Sequence, residues 1–134
     1  MSRYFDTGLL EPAAEPKILV RVSAETATDT FLAIVDTAAP WCIFGPAVKG
    51  DFMRSLEPIP GRTTLSTRLG TFHGFLGRGW ITLPADEGES LRVQVTMFLS
   101  PDWSGPNFLG YQGLLQRIRF AIDPASNLFY FGPI

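Results

Sequence analysis

The sequence predicts a mostly β fold made of many short strands. Three observations carry that expectation: repeated apolar–polar alternation, turn formers in quantity (13 glycines and 11 prolines), and 11 phenylalanines in a chain of 134 residues. Alternation at period two sets one face of a strand against a core, while Gly and Pro punctuate short elements. Hydrophobic residues make up 46% of the chain, which suffices for one core in one domain.

The elements follow in order. Residues 1–16, MSRYFDTGLLEPAAEP, lack sustained periodicity and are expected to form an arm with a short edge strand. KILVRVS (17–23) reads as a strand with Ile18, Val20 and Val22 on one side. TFLAIVD (30–36) is nearly all apolar, as expected of a strand covered on both faces. WCIFG (41–45) is another short strand; residues 46–60 hold one weak helical turn and a proline-flanked loop. RTTLSTRLGTFHGFLGRGWITL (62–83) alternates around four glycines and predicts a long twisted hairpin turning near Arg68–Gly70. SLRVQVTMFLS (90–100) is a strand, PDWSGPN a loop, and Tyr111–Arg117 the one good helical segment, with Leu114, Leu115 and Ile118 available for burial. The chain closes on a hairpin, RFAID–PASN–LFYFG, through Asp-Pro turn chemistry.

Bulk properties remove several function classes. A net charge of -2 with both signs scattered offers no basic surface for nucleic acid. One cysteine, Cys42, excludes an internal disulfide, and one histidine, His73, excludes a His-rich metal site. No apolar run reaches the roughly 18–20 residues of a membrane span, and the expectation is a cytoplasmic protein free of membrane. The glycines at 70, 74, 77 and 79 do not make a dinucleotide fingerprint between strand and helix, and no GxSxG surrounds a serine.

Asp36 stands out because it ends the apolar run FLAIV and begins Asp-Thr-Ala-Ala-Pro-Trp. A carboxylate taken from water is costly unless something uses it. An acid at the end of a buried strand, with a hydroxyl beside it to lock the loop, is what an aspartic protease needs. The plain alternative is a turn residue in a structural β domain.

Three segments, in this order, resemble the retropepsin-like and pepsin-like aspartic proteases: AIVDTAA around Asp36, GTFHGFLGRGWITL (70–83), and NFLGYQGLLQRIRFAID (107–123). The first is similar to the catalytic strand and loop, the second to the descending arm of the flap, the third to the closing element of the fold. The likeness spans residues 17–132 and most resembles the single-lobe, retroviral-like proteins of bacteria. It implies an acid-protease-like closed β-barrel or sandwich over 17–134, with a flap hairpin and one short C-terminal helix.

The resemblance also implies a site. Asp36, Thr37 and Ala38 fall at the catalytic triplet, with Ala38 where the family usually has glycine; the backbone N–H needed there is retained. Ala39, Thr67, Arg68, Leu69, Gly70, Thr71, Leu109 and Gly110 fall in the substrate groove and flap, and Thr67 lies near the usual flap tyrosine. Pro40 and Tyr111 stand where retroviral members often pair an Asp with an Arg. No metal or cofactor is implied. Peptide hydrolysis by this chemistry needs two carboxylates sharing a proton, and the chain has one such triplet. A homodimer acting on a peptide or protein substrate is therefore expected, its termini joining an intermolecular sheet through Tyr4, Phe5, Leu9, Leu128, Phe129, Tyr130 and Phe131. The four glycines are expected to ease bending of the flap. A non-catalytic peptide-binding adaptor on the same fold is the alternative.

Overall fold

Alternation with a period of two is realised in residues 19–24 and 77–83. The computed structural model describes residues 2–3, 18–24, 30–53, 55–67, 70–126 and 128–134. Its elements are β1 (Ser2–Arg3), β2 (Leu19–Ala24), β3 (Thr30–Val35), β4 (Cys42–Ile43), α1 (Pro46–Met53), β5 (Glu57–Pro58), β6 (Thr63–Thr67), β7 (Gly70–Leu83), β8 (Leu91–Leu99), β9 (Phe108–Leu109), β10 (Ile118–Asp123) and β11 (Leu128–Pro133). Single 3-10 turns at Leu115–Arg117 and Pro124–Ser126 flank β10. The fold is mostly β. Among the described residues no helix is long and apolar enough to cross a membrane.

The main sheet runs β2-β3-β9-β4-β8-β7-β5, and β2 also meets β7 through Ser23↔Thr82 and Ala24↔Ile81. The expected hairpin forms: β6 pairs with the first part of β7 from Thr67↔Gly70 to Thr63↔Gly74. From Phe75↔Leu99 onward β7 changes partner and pairs with β8. The terminal hairpin β10–β11 makes a separate sheet whose order is β1-β11-β10.

Val20, Val22 and Ala24 of β2 face a core shared with Ala33, Phe44, Phe52, Ile81, Leu83, Val95, Met97 and Phe129. Phe44 stacks on Phe52 at 4.7 Å, and Phe31 meets both rings edge-on. Full burial of such a side chain contributes about 1.5–3 kcal/mol. A second cluster of Ile43, Leu65, Phe98 and Trp103 lies between the hairpin and the main sheet.

Several expectations are corrected. The α-helix among the described residues is α1, entered through Pro46, whose fixed φ and missing N–H suit a first turn. Residues 111–117 are instead a tight turn and a 3-10 turn, because the Gly113 N–H donates to the Pro40 carbonyl and the Gly113 carbonyl accepts from Thr96 N–H. Those groups are unavailable to a helical ladder. Strand β3 is not covered on both faces: Leu32 is 44% exposed. Of the terminal apolar residues, Phe129 is fully buried in the main core, Phe131 packs against it and Tyr130 is exposed; Tyr4, Phe5 and Leu9 lie outside the described residues. The edge of β11 opposite β10 is paired within the chain, Ser2 with Phe129 and Arg3 with Leu128.

Three of the four hairpin glycines are packing residues rather than sites of bending. A Cβ at Gly74 would overlap the Leu99 carbonyl, one at Gly77 would lie 2.6 Å from Leu56, and one at Gly79 2.8 Å from Met97. Gly70 alone of the four has a positive φ, +128°, with open space around it, as a turn requires.

Candidate functional site

Asp36 leaves the end of β3 as its apolar run meets a turn. Its N–H donates to the Leu109 carbonyl at 3.0 Å, which ties the start of the loop to β9. β9 lies between β3 and β4, parallel to the first and antiparallel to the second. A segment more than sixty residues downstream is thus the floor on which the Asp36 loop is built.

The loop then folds on itself. Ala39 N–H donates to the Asp36 carbonyl at 3.2 Å, and Ala38 N–H donates to the carboxylate oxygen Oδ1 at 2.9 Å. The Ala38 N–H is thus the donor that holds one carboxylate oxygen of Asp36. The other carboxylate oxygen, Oδ2, has no hydrogen-bond partner among the described residues. Asp36 is half-buried, whereas Thr37 and Ala38 are exposed and Ala39 is half-buried. The carboxylate is held at the surface of the chain, not in its interior.

Pro40 and Tyr111 lie on two segments that backbone hydrogen bonds join. Tyr111 N–H donates to the Ala39 carbonyl at 2.7 Å and Gly113 N–H to the Pro40 carbonyl at 3.0 Å. Two backbone bonds tie these segments together. Gly110 makes the approach feasible: a Cβ there would fall on the Trp41 carbonyl group and 2.8 Å from the Ala39 oxygen. Leu109 is fully buried beside it.

Asn107 is the positioning residue that sequence reasoning did not single out. Its side-chain NH2 donates to the Leu32 carbonyl at 3.0 Å and its Oδ1 accepts from Gly45 N–H at 2.7 Å. It stitches β3 to the segment leaving β4. An amide just before a two-residue strand was the available signal.

In the hairpin, the Thr67 hydroxyl donates to the Gly70 carbonyl at 3.1 Å, so it braces its own turn. Arg68 and Leu69 lie outside the described residues, and Thr71 is exposed on β7. His73 sits on the hairpin with Nδ1 3.2 Å from the Thr64 hydroxyl. Two other carboxylates have local duties: Asp86 pairs with Arg21, and Asp123 Oδ1 accepts from Ser126 N–H at 3.3 Å.

Chemically, one such carboxylate can take a proton from water but cannot at the same moment donate one to a carbonyl oxygen. One such carboxylate supplies at most one member of an acid–base pair. The chain matches no protein-family model and no curated protein.

Proposed function

We propose that this chain is a single-lobe, retropepsin-like aspartic endopeptidase on an acid-protease-type closed barrel, acting in the cytoplasm as a homodimer. Two Asp36 carboxylates, one from each protomer, would share one proton. The ionised member takes a proton from the attacking water. The protonated member donates to the carbonyl oxygen of the scissile peptide, giving a tetrahedral intermediate that collapses to two shorter chains. Thr37, exposed beside each carboxylate, would reach across to the partner loop.

The observation that carries this reading is the loop itself. The Asp36 N–H is held by the Leu109 carbonyl and one carboxylate oxygen by the Ala38 N–H; in this reading the other oxygen meets its counterpart in a second copy. The Thr67 hydroxyl, which donates to the Gly70 carbonyl where the flap of the resembling family carries a tyrosine, favours a second reading in which the chain binds peptide without cutting it.

Cleavage of an unstructured protein such as casein separates the two. Asp36→Asn preserves an oxygen for the Ala38 N–H and removes the ionisable group. Wild type is expected to cut and Asp36→Asn to be inactive with an unchanged circular dichroism spectrum. Equal cleavage by both would remove Asp36 from the chemistry.

A further inference from the structure

The β6–β7 hairpin is seated on the rest of the chain through a cluster that contains Ile43, Phe98 and the indole of Trp103. Leu65 and Phe72 are opposite one another across the hairpin, and both belong to the cluster around Trp103. The Phe72 ring meets the indole edge-on, with centroids 5.0 Å apart and planes at 75°. Trp103 is 4% exposed and doubly fixed. Its Nε1–H donates to the Pro106 carbonyl at 3.1 Å, and the loop passes so close that a Cβ on Gly105 would lie 2.7 Å from the ring.

The same indole lies 6.0 Å from the ring of Phe108, the first residue of β9. The next residue, Leu109, accepts the Asp36 N–H. Trp41, which ends the Asp36 loop, packs against the same cluster. Further along β7, Gly74 is seated on the Leu99 carbonyl and Gly77 on Leu56, so the chain is clamped where the hairpin joins the main sheet. Movement of the hairpin is therefore confined to the part that Phe72 and Leu65 hold down.

We infer that Trp103 is a positioning residue that latches the β6–β7 hairpin to the strand beneath the Asp36 loop, so that the hairpin lifts only when Phe72 leaves the indole and the loop loosens with it. The consequence for catalysis rests on the reading of Asp36 given above; the coupling does not. Ring pairs of this geometry are strong enough to shift a local opening equilibrium about three- to tenfold.

Amide hydrogen exchange on the full chain tests the latch, comparing wild type with Phe72→Leu, Trp103→Phe and the double variant. Phe72→Leu keeps an apolar side chain in the cluster and so keeps the fold if Trp103→Phe does not. The expected result is faster exchange in residues 63–67 and 70–73, matched by a similar factor at the Asp36 and Ala39 amides. Amides of β8 should hold their rates, and the double variant should add little to either single change. A faster hairpin with unchanged Asp36 and Ala39 amides would overturn the coupling. So would a rise shared equally by β8, or no change at all. Cleavage enters none of these readouts, so a chain that never hydrolyses peptide leaves the test intact.

Discussion

Gly110 lies directly against the backbone of Trp41, so that a Cβ on Gly110 would occupy the space of the Trp41 carbonyl group. The obstructing atoms are backbone, held by the Tyr111–Ala39 and Gly113–Pro40 bonds, and no rotamer change relieves them. Gly110→Ala should cost about 2–3 kcal/mol, as overpacking against a fixed partner does. Gly132→Ala, with open space at its Cβ, should stay within about 1 kcal/mol of wild type. Denaturant titration of the two variants measures the difference. A Gly110→Ala protein as stable as wild type would mean that the Asp36 loop can yield there.

Arg117 braces β8 at two points. One guanidinium nitrogen donates to the Gln94 carbonyl at 3.3 Å and another to the Thr96 hydroxyl at 2.7 Å. Arg117→Met should lose about 1–2 kcal/mol, the net value of these bonds plus an acceptor left unpaired. Arg117→Lys should recover little, because one ammonium cannot span two acceptors that a planar fork reaches together. Full recovery by lysine in thermal unfolding would show that charge, not geometry, matters at this position.

These two cases show which parts of the molecule were legible in the sequence. Strands β2, β7, β8, β10 and β11 announce themselves by alternation, and both hairpins by Gly or Asp-Pro turns; local pattern alone decides them. Residues 111–117 misled because Leu114, Leu115 and Ile118 have helical spacing, yet the bonds of Gly113 to Pro40 and Thr96 come from remote segments. α1 was hidden by Gly50 and by a single buried residue, Phe52, although Gly45-Pro46 marked its start. Gly74, Gly77 and Gly79 read as bending residues because the atoms that require them, on Leu99, Leu56 and Met97, are distant in the chain. Asp36 at the end of its apolar run was visible. The support from Leu109, Gly110 and Asn107 is tertiary, and single-residue patterns do not carry it.

Cys42 supplies a pH dependence whose sign is fixed. Burial pushes its thiol up from 9.0 to about 12, with the Gly110 backbone hydrogen bond and the Arg117 charge acting the other way. The folded state therefore keeps the proton that the unfolded chain gives up. The contribution is intact below about pH 9 and is lost as pH rises toward 12. The stability difference between wild type and Cys42→Ala should narrow across that window, by up to about 1.4 kcal/mol per pH unit. A difference that stays constant over the same pH range would mean that the folded protein accommodates the thiolate.

The last prediction concerns stoichiometry. If each chain supplies one Asp36 to a shared pair, activity belongs to the dimer and follows mass action. Far below the dimer dissociation constant the active fraction is proportional to concentration, so the cleavage rate should fall as the square of total enzyme. Trimming the C-terminus is a poor way to test this, since Phe131 packs against the main core and β11 pairs with both β10 and β1. Dilution leaves the fold untouched. Adding excess Asp36→Asn chain sharpens the test, because a mixed dimer holds one carboxylate and one amide and cannot share a proton. The inactive variant should therefore poison wild-type activity in proportion to the mixed dimers formed, with sedimentation run over the same concentrations to count them. A monomer whose specific activity is constant on dilution and indifferent to the added variant would exclude the shared pair, because one Asp36 cannot accept and donate a proton in the same step.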